Sequence, residues 1–244
     1  MCIRDRDDTT PEGEQVNIYG NHVGSWNFAA TAYLNRWKVK IYYEHYFDDH
    51  SQMFFQYGRW KDGHIGLEIT FPKNRFIDTF VYEGLGTKDQ TGPMLYDSFW
   101  GEFEEQISAK DNYYNHYLYQ GWQHWGMGIG NPLLPGPIYN KNGQITFISN
   151  RVLAHHIGFC GSPCQSLSYR MLLSYSRHWG TYDNPLNEIK KQFNSLFEVT
   201  YAPQQLKGWS FTVSGAMDRG NLLGNNYGGM LVIRKQGIIK SGNK

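Results

Sequence analysis

Between Asn112 and Asn140 the chain reads NYYNHYLYQGWQHWGMGIGNPLLPGPIYN, which gathers Tyr113, Tyr114, Tyr117, Tyr119, Trp122, Trp125 and Tyr139 with Asn112, Asn115, Gln120, Gln123 and His124. Aromatic faces stack on the C–H surface of a sugar ring, and planar amides and imidazoles pair with hydroxyls. The mixture therefore suits the holding of carbohydrate, with Tyr113, Tyr114, Tyr117, Tyr119, Trp122, His124, Trp125 and Tyr139 as the candidate contacts. The spacing follows neither a helix nor a strand period. Gly and Pro at Asn131-Pro132 and Pro135-Gly136-Pro137 set turns while the rings supply packing, so the segment reads as an ordered surface loop. A binding surface and a structural plug without ligand stand level as readings of it.

Other reactive groups carry less. Asp48, Asp49, His50 and Ser51 could take a divalent cation or do acid–base work, but a polar turn bonding its own backbone is the simpler reading. A glycosidase needs two carboxylates flanking a sugar bond, and Glu102, Glu104 and Glu105 with Asp97 and Asp111 supply acids. Phe99, Phe103 and Ile107 instead suggest a short loop helix with its acids in water. A second loop helix, LNEIKKQF, is expected after Pro185, capped by Asp183 or Asn184, with Lys190 and Lys191 on a solvated face. His155 and His156 are neighbours in a strand, point to opposite faces, and cannot serve one metal together. His116 and His124 fit no ligand spacing. Cys160 and Cys164, in GFCGSPCQ, rank first as a local disulfide, then as free thiols; metal comes well behind because no second Cys/His couple accompanies them. No cofactor or metal site is expected, and no catalytic residue.

The elements that must position this loop are strands. Length and composition allow one large domain, and a net charge of +1 offers nothing to a polyanion such as nucleic acid. No window approaches the ~18 continuous apolar residues of a spanning helix. Period-two alternation is long and repeated instead: Trp37, Val39, Ile41, Tyr43 and Phe47 oppose Lys38, Lys40, Tyr42, Glu44 and Tyr46. Trp26 to Leu34, Leu167 to Tyr175, Phe193 to Tyr201 and Trp209 to Met217 follow the same template. Rougher strands at Val16–Asn21, Met53–Trp60, His64–Phe71, Arg75–Leu85, Gln144–Phe159 and Tyr227–Ile238 bring the expectation to about eleven. Tight turns are expected at Lys61-Asp62-Gly63 and Pro72-Lys73-Asn74.

Alternation does not say which face is inside, since a sandwich buries its apolar face and a membrane barrel turns it to lipid. Several strands reach the ~9 to 11 residues that cross a bilayer, and Trp37, Trp60, Trp179 and Trp209 fall at strand ends, where an interfacial girdle would sit. Counting back from a periplasmic C-terminus puts residues 86–143, 179–192 and 218–226 outside, and 72–74, 158–165 and 202–208 inside. Asp48–Ser51 falls on the inner side by that count. Long loops outside and short turns inside is the asymmetry of outer-membrane barrels. The fold expected is thus all-β, an antiparallel transmembrane β-barrel with long extracellular loops containing short helices.

YYEHYFDDHSQMFFQYGRWKDGHIGLEI (42–69), DNYYNHYLYQGWQHWGMGIGNPL (111–133) and SYSRHWGTYDNP (174–185), in this order, resemble the capsule assembly Wzi family, in its Bacteroides-like branch and its C-terminal part. The resemblance implies an outer-membrane lectin that binds capsular polysaccharide and helps attach it to the cell. It also implies a monomeric barrel in the lipid bilayer, with the capsule export machinery as a further partner. Residues 1–15, MCIRDRDDTTPEGEQ, show no signal peptide and look unrelated to the strands that follow. They are read as a non-native or disordered start, residues 16–244 as the barrel domain, and the barrel as incomplete, its N-terminal strands missing. A porin or transporter lumen lined by Lys38, Lys40, Glu44, Arg170 and Arg234 is the alternative, and a surface glycoside hydrolase stands third.

Overall fold

The computed structural model describes residues 24–47, 62–74, 76–89, 112–115, 123–129 and 131–237. The expected strands at Val16–Asn21 and Met53–Trp60, the Asp48–Ser51 cluster and the acids around Glu102 lie outside those residues. Nine strands form one antiparallel sheet: β1 (Gly24–Leu34), β2 (Trp37–Phe47), β3 (Gly63–Thr70), β4 (Thr79–Gly86), β7 (Val152–Cys164), β8 (Leu167–Gly180), β9 (Pro185–Tyr201), β10 (Trp209–Gly220) and β11 (Asn226–Lys235). A two-stranded hairpin, β5 (Gln123–His124) and β6 (Met127–Gly128), and a 3-10 turn at Pro137–Tyr139 lie in the connection between β4 and β7. Among the described residues the sheet is not closed: β1 and β11 are its two edges. No helix among the described residues is long and apolar enough to cross a membrane, which says nothing about strands.

Because side chains alternate along each strand, the antiparallel register sorts the whole sheet into two faces. One row of directly opposed residues, Ala32, Val39, Ile69, Phe80, Phe159, Met171 and Phe197, passes through seven strands without a polar side chain. The next row continues it through Tyr169, Val199, Val213 and Leu231. This apolar face is largely uncovered: Val213 keeps 61% of its surface exposed and Leu231 66%.

The opposite face is polar and bonded to itself. Ser25 Oγ donates to Glu44 at 2.6 Å, and the His64 ring lies 3.8 Å from Glu44 and 3.6 Å from Glu83. The Tyr42 hydroxyl donates to Glu83. Lys38 pairs with Glu68, and Arg170 with Glu198, which also accepts from Ser214. His156 faces this side, against Ser174, while His155 faces the apolar side, against the Tyr82 hydroxyl.

Four expectations are corrected. Leu186–Phe193 is not a loop helix but the first half of β9, a 17-residue strand held by β8 and then β10. Lys190 and Lys191 thereby point to opposite faces, and tertiary pairing overrides the local Pro-and-cap signal. The strand expected from Gln144 begins only at Val152; residues 144–150 are irregular and bury Phe147, Ser149 and Asn150. Cys160 and Cys164 are free thiols on one extended strand rather than a bridged pair. Four residues at ~3.3 Å each separate their Cα atoms by more than the ~7 Å a disulfide spans. Finally, β2 pairs directly with β3, so Phe47 and Gly63 lie at the end of the sheet where β4 closes at Gly86, whereas loop parity put the end of β2 at the opposite end.

Candidate functional site

The β4–β7 connection packs onto the polar face at one end of the sheet and forms the hydrophobic core there. Tyr113, Tyr114, Leu134 and Phe147 from the connection meet Leu85, Val152 and Ala154 at the strand ends. Its backbone is tied down by short side chains that substitute for missing ladder bonds. Asn115 Nδ2 donates to the Phe147 carbonyl at 2.7 Å, and the Phe147 N–H donates to Asn115 Oδ1 at 2.7 Å. Asn150 Nδ2 donates to Asn112 Oδ1 and to the Tyr113 carbonyl. Thr87 Oγ1 donates to the Asn150 carbonyl while accepting the Val152 N–H, which joins the connection to the first residue of β7.

Below this core lies Asp62, 1% exposed, a residue that reads in sequence as part of a simple turn. Its carboxylate accepts the Asp89 N–H at 3.0 Å and the Tyr113 hydroxyl at 3.4 Å, linking the start of β3, the end of β4 and the aromatic segment. A buried ionisable group is retained only with partners, so this one serves as a fastening. Beside it a cavity of about 80 Å³ is lined by Glu44, Tyr46, Thr87, Tyr113, Tyr114, Ile129 and Asn131. A hollow of that size takes a few waters rather than an oligosaccharide.

The eight candidate contacts therefore divide. Tyr113 and Tyr114 do not offer sugar faces, because their rings are consumed in packing: Tyr113 is 2% exposed, and Tyr114 lies 4.7 Å from the Phe147 ring and donates to the Ile129 carbonyl. His124 and Trp125 are presented outward on the β5–β6 hairpin. Trp125 is 87% exposed, with its ring edge-on to His124 at 6.1 Å between centroids. Tyr139 closes the 3-10 turn Pro137–Tyr139, and Tyr117, Tyr119 and Trp122 lie outside the described residues.

The hairpin turn itself is informative. Trp125 has φ +53° and Gly126 φ +75°, the two left-handed positions of a two-residue turn that favours Asn-Gly. A tryptophan in the first position costs about 1 kcal/mol or more of backbone strain. The turn is held from outside by the Ile138 N–H, which donates to the Gly126 carbonyl at 3.1 Å, and by the close approach of Gly136 to Gly126. At 87% exposed, the ring recovers little of that strain through burial. Sequence reading ranked Trp125 among the contacts but missed Asp62, Thr87 and Asn150, whose roles depend on burial.

Among the described residues no three His, Cys, Asp or Glu side chains converge as a metal site requires. No family model matches the chain, and no curated protein or solved structure matches it.

Proposed function

We propose that the chain forms the wall and outer loops of an outer-membrane β-barrel that binds capsular polysaccharide and helps hold it on the cell, without catalysis. The observation that carries the barrel reading is the two-faced sheet: an apolar face continuous across the strands and left uncovered, backed by a polar face whose charges are paired with one another. A soluble sheet with this pattern would bury the apolar face, whereas a barrel in lipid leaves it outward. Dimensions agree. From Leu34, opposite Trp37, to Trp26 is eight residues along β1, ~27 Å of strand and ~20 Å of membrane at the usual tilt, close to the ~25 Å apolar band of such barrels.

Polysaccharide binding rests on Trp125 and its neighbour His124, displayed at the end of the sheet where the long connection packs. The buried Tyr113 and Tyr114 support the same segment's second role, a plug over the polar face. An open pore is the competing reading, and bilayer conductance of the purified chain separates them: a plugged lectin is silent, a porin passes steady current. For the lectin itself, Trp125→Ala is expected to remove about 2 kcal/mol of glycan contact, as loss of a central ring does, and to lower capsule retention. Outer-membrane yield should stay unchanged because Trp125 is 87% exposed. Retention at the wild-type level in an inserted Trp125→Ala protein would leave the plug as the segment's only role.

A further inference from the structure

The apolar face ends, toward the end that carries the long connection, in a row of cations. Arg177 on β8 stands opposite Leu153 on β7 and Lys191 on β9, which puts Arg177 and Lys191 on the same face as Met171 and Leu173. Arg219, opposite Phe193, continues that face on β10. On the other side the row reaches Lys88 and Arg151. Lys88 Nζ and the Arg177 guanidinium lie 5.1 and 5.0 Å from the Trp179 ring centroid, and Arg151 Nε donates to the Lys88 carbonyl while its guanidinium sits 3.9 Å from the Tyr182 ring.

None of these five cations is ion-paired with a carboxylate among the described residues. Nearby acids are engaged elsewhere: Asp183 accepts from Asn112, and Glu188 pairs with Lys190. Asp89 beside Lys88 still leaves a clear excess of positive charge. Two cations against one indole repel each other, and an anion set between them relieves that repulsion. The position narrows the anion. Arg177 lies eight residues along β8 from Tyr169, so the row begins where the aliphatic band stops, at the depth of headgroups. It also lies on the face away from the plug and from the polar network. Planar guanidinium forks match phosphate oxygens, and aromatic rings beside basic residues are the usual furniture of a membrane interface.

We propose that this row binds the phosphates of an anionic lipid headgroup, in the leaflet that surrounds the end of the barrel bearing the 87–151 connection. The inference rests on the barrel reading. Its test places the full chain in phosphatidylcholine nanodiscs with added diphosphorylated lipid A or its dephosphorylated form, and measures retained lipid by native mass spectrometry. Retention should depend on the phosphates and resist competition by inorganic phosphate. In an Arg177→Ala/Lys191→Ala variant it should weaken on the order of thirtyfold. Arg36→Ala/Lys207→Ala, which removes cations at the opposite end of the sheet, should leave it unchanged. Arg219→Ala, at an exposed position, should weaken it several-fold even if the double variant folds poorly. Equal retention of both lipid A forms, equal effects of the two double variants, or displacement by free phosphate would each overturn the headgroup assignment. A wild-type chain that fails to enter nanodiscs overturns the barrel and the inference together; entry without headgroup preference overturns the inference alone.

Discussion

Asp62 is the residue on which the long connection turns. Its buried carboxylate takes the Asp89 N–H and the Tyr113 hydroxyl, so Asp62→Ala removes an acceptor that both of them use. Losing hydrogen bonds to a buried carboxylate costs about 1–3 kcal/mol, felt first in the segment they anchor. Limited proteolysis should therefore cut the 112–150 region several-fold faster in the variant, while amides of β8 and β9 keep their exchange protection. Unchanged cleavage would mean that the hydrophobic cluster around Phe147 holds the connection by itself. In sequence Asp62 sits in a Lys-Asp-Gly turn signal, and nothing local distinguishes a solvated turn aspartate from a buried one.

At the scale of the strand, the two-face assignment makes opposite demands on adjacent residues. Leu173 belongs to the apolar face, and Leu173→Arg should cost ~2–4 kcal/mol if it lies near the bilayer midplane. Ser174, the next residue, faces His156 and lines a hollow of about 320 Å³ with Glu83 and Arg170, so Ser174→Arg has room and polar company. Urea titration of the refolded variants in micelles should show the first destabilised and the second close to wild type; equal loss would contradict the faces. Gly66 tests the polar face in another way. It stands opposite Tyr42, whose ring covers the position a Cβ would occupy, an aromatic shielding of a strand glycine. Gly66→Val should push that ring aside and break the Tyr42 hydroxyl bond to Glu83, at a cost of about 1–3 kcal/mol in the same titration. A neutral Gly66→Val would show that the ring moves without loss.

For the whole molecule, the order β1-β2-β3-β4-β7-β8-β9-β10-β11 puts the 87–151, 181–184 and 221–225 connections at one end and the 71–78, 165–166 and 202–208 connections at the other. In the barrel reading the first end faces outward. An epitope inserted at Gly143, in an exposed turn at φ +72°, should be stained by antibody on intact cells. The same epitope inserted in the Pro203–Leu206 turn should require permeabilised cells. The reverse pattern would invert the orientation, and with it the side on which Trp125 and the cation row lie.

The alternation of side chains alone settled the all-β class and which residues share a face, because period two is a property of the extended chain and survives any arrangement of partners. Trp37, Val39 and Ile41, Leu173, and Phe211 and Val213 fall on one face by sequence and by register alike. What it could not settle was anything that depends on a partner distant in the chain. Residues 186–193 carry a helix signal and became strand, because β8 supplies ladder bonds along them, joined by β10 at Gln192, that outweigh a local cap. Cys160 and Cys164 are close in sequence and apart in space, because a strand runs extended between them. Tyr113 and Trp125 are indistinguishable as residues in an aromatic-rich loop. Only the packing of the connection on the sheet buries the first and displays the second.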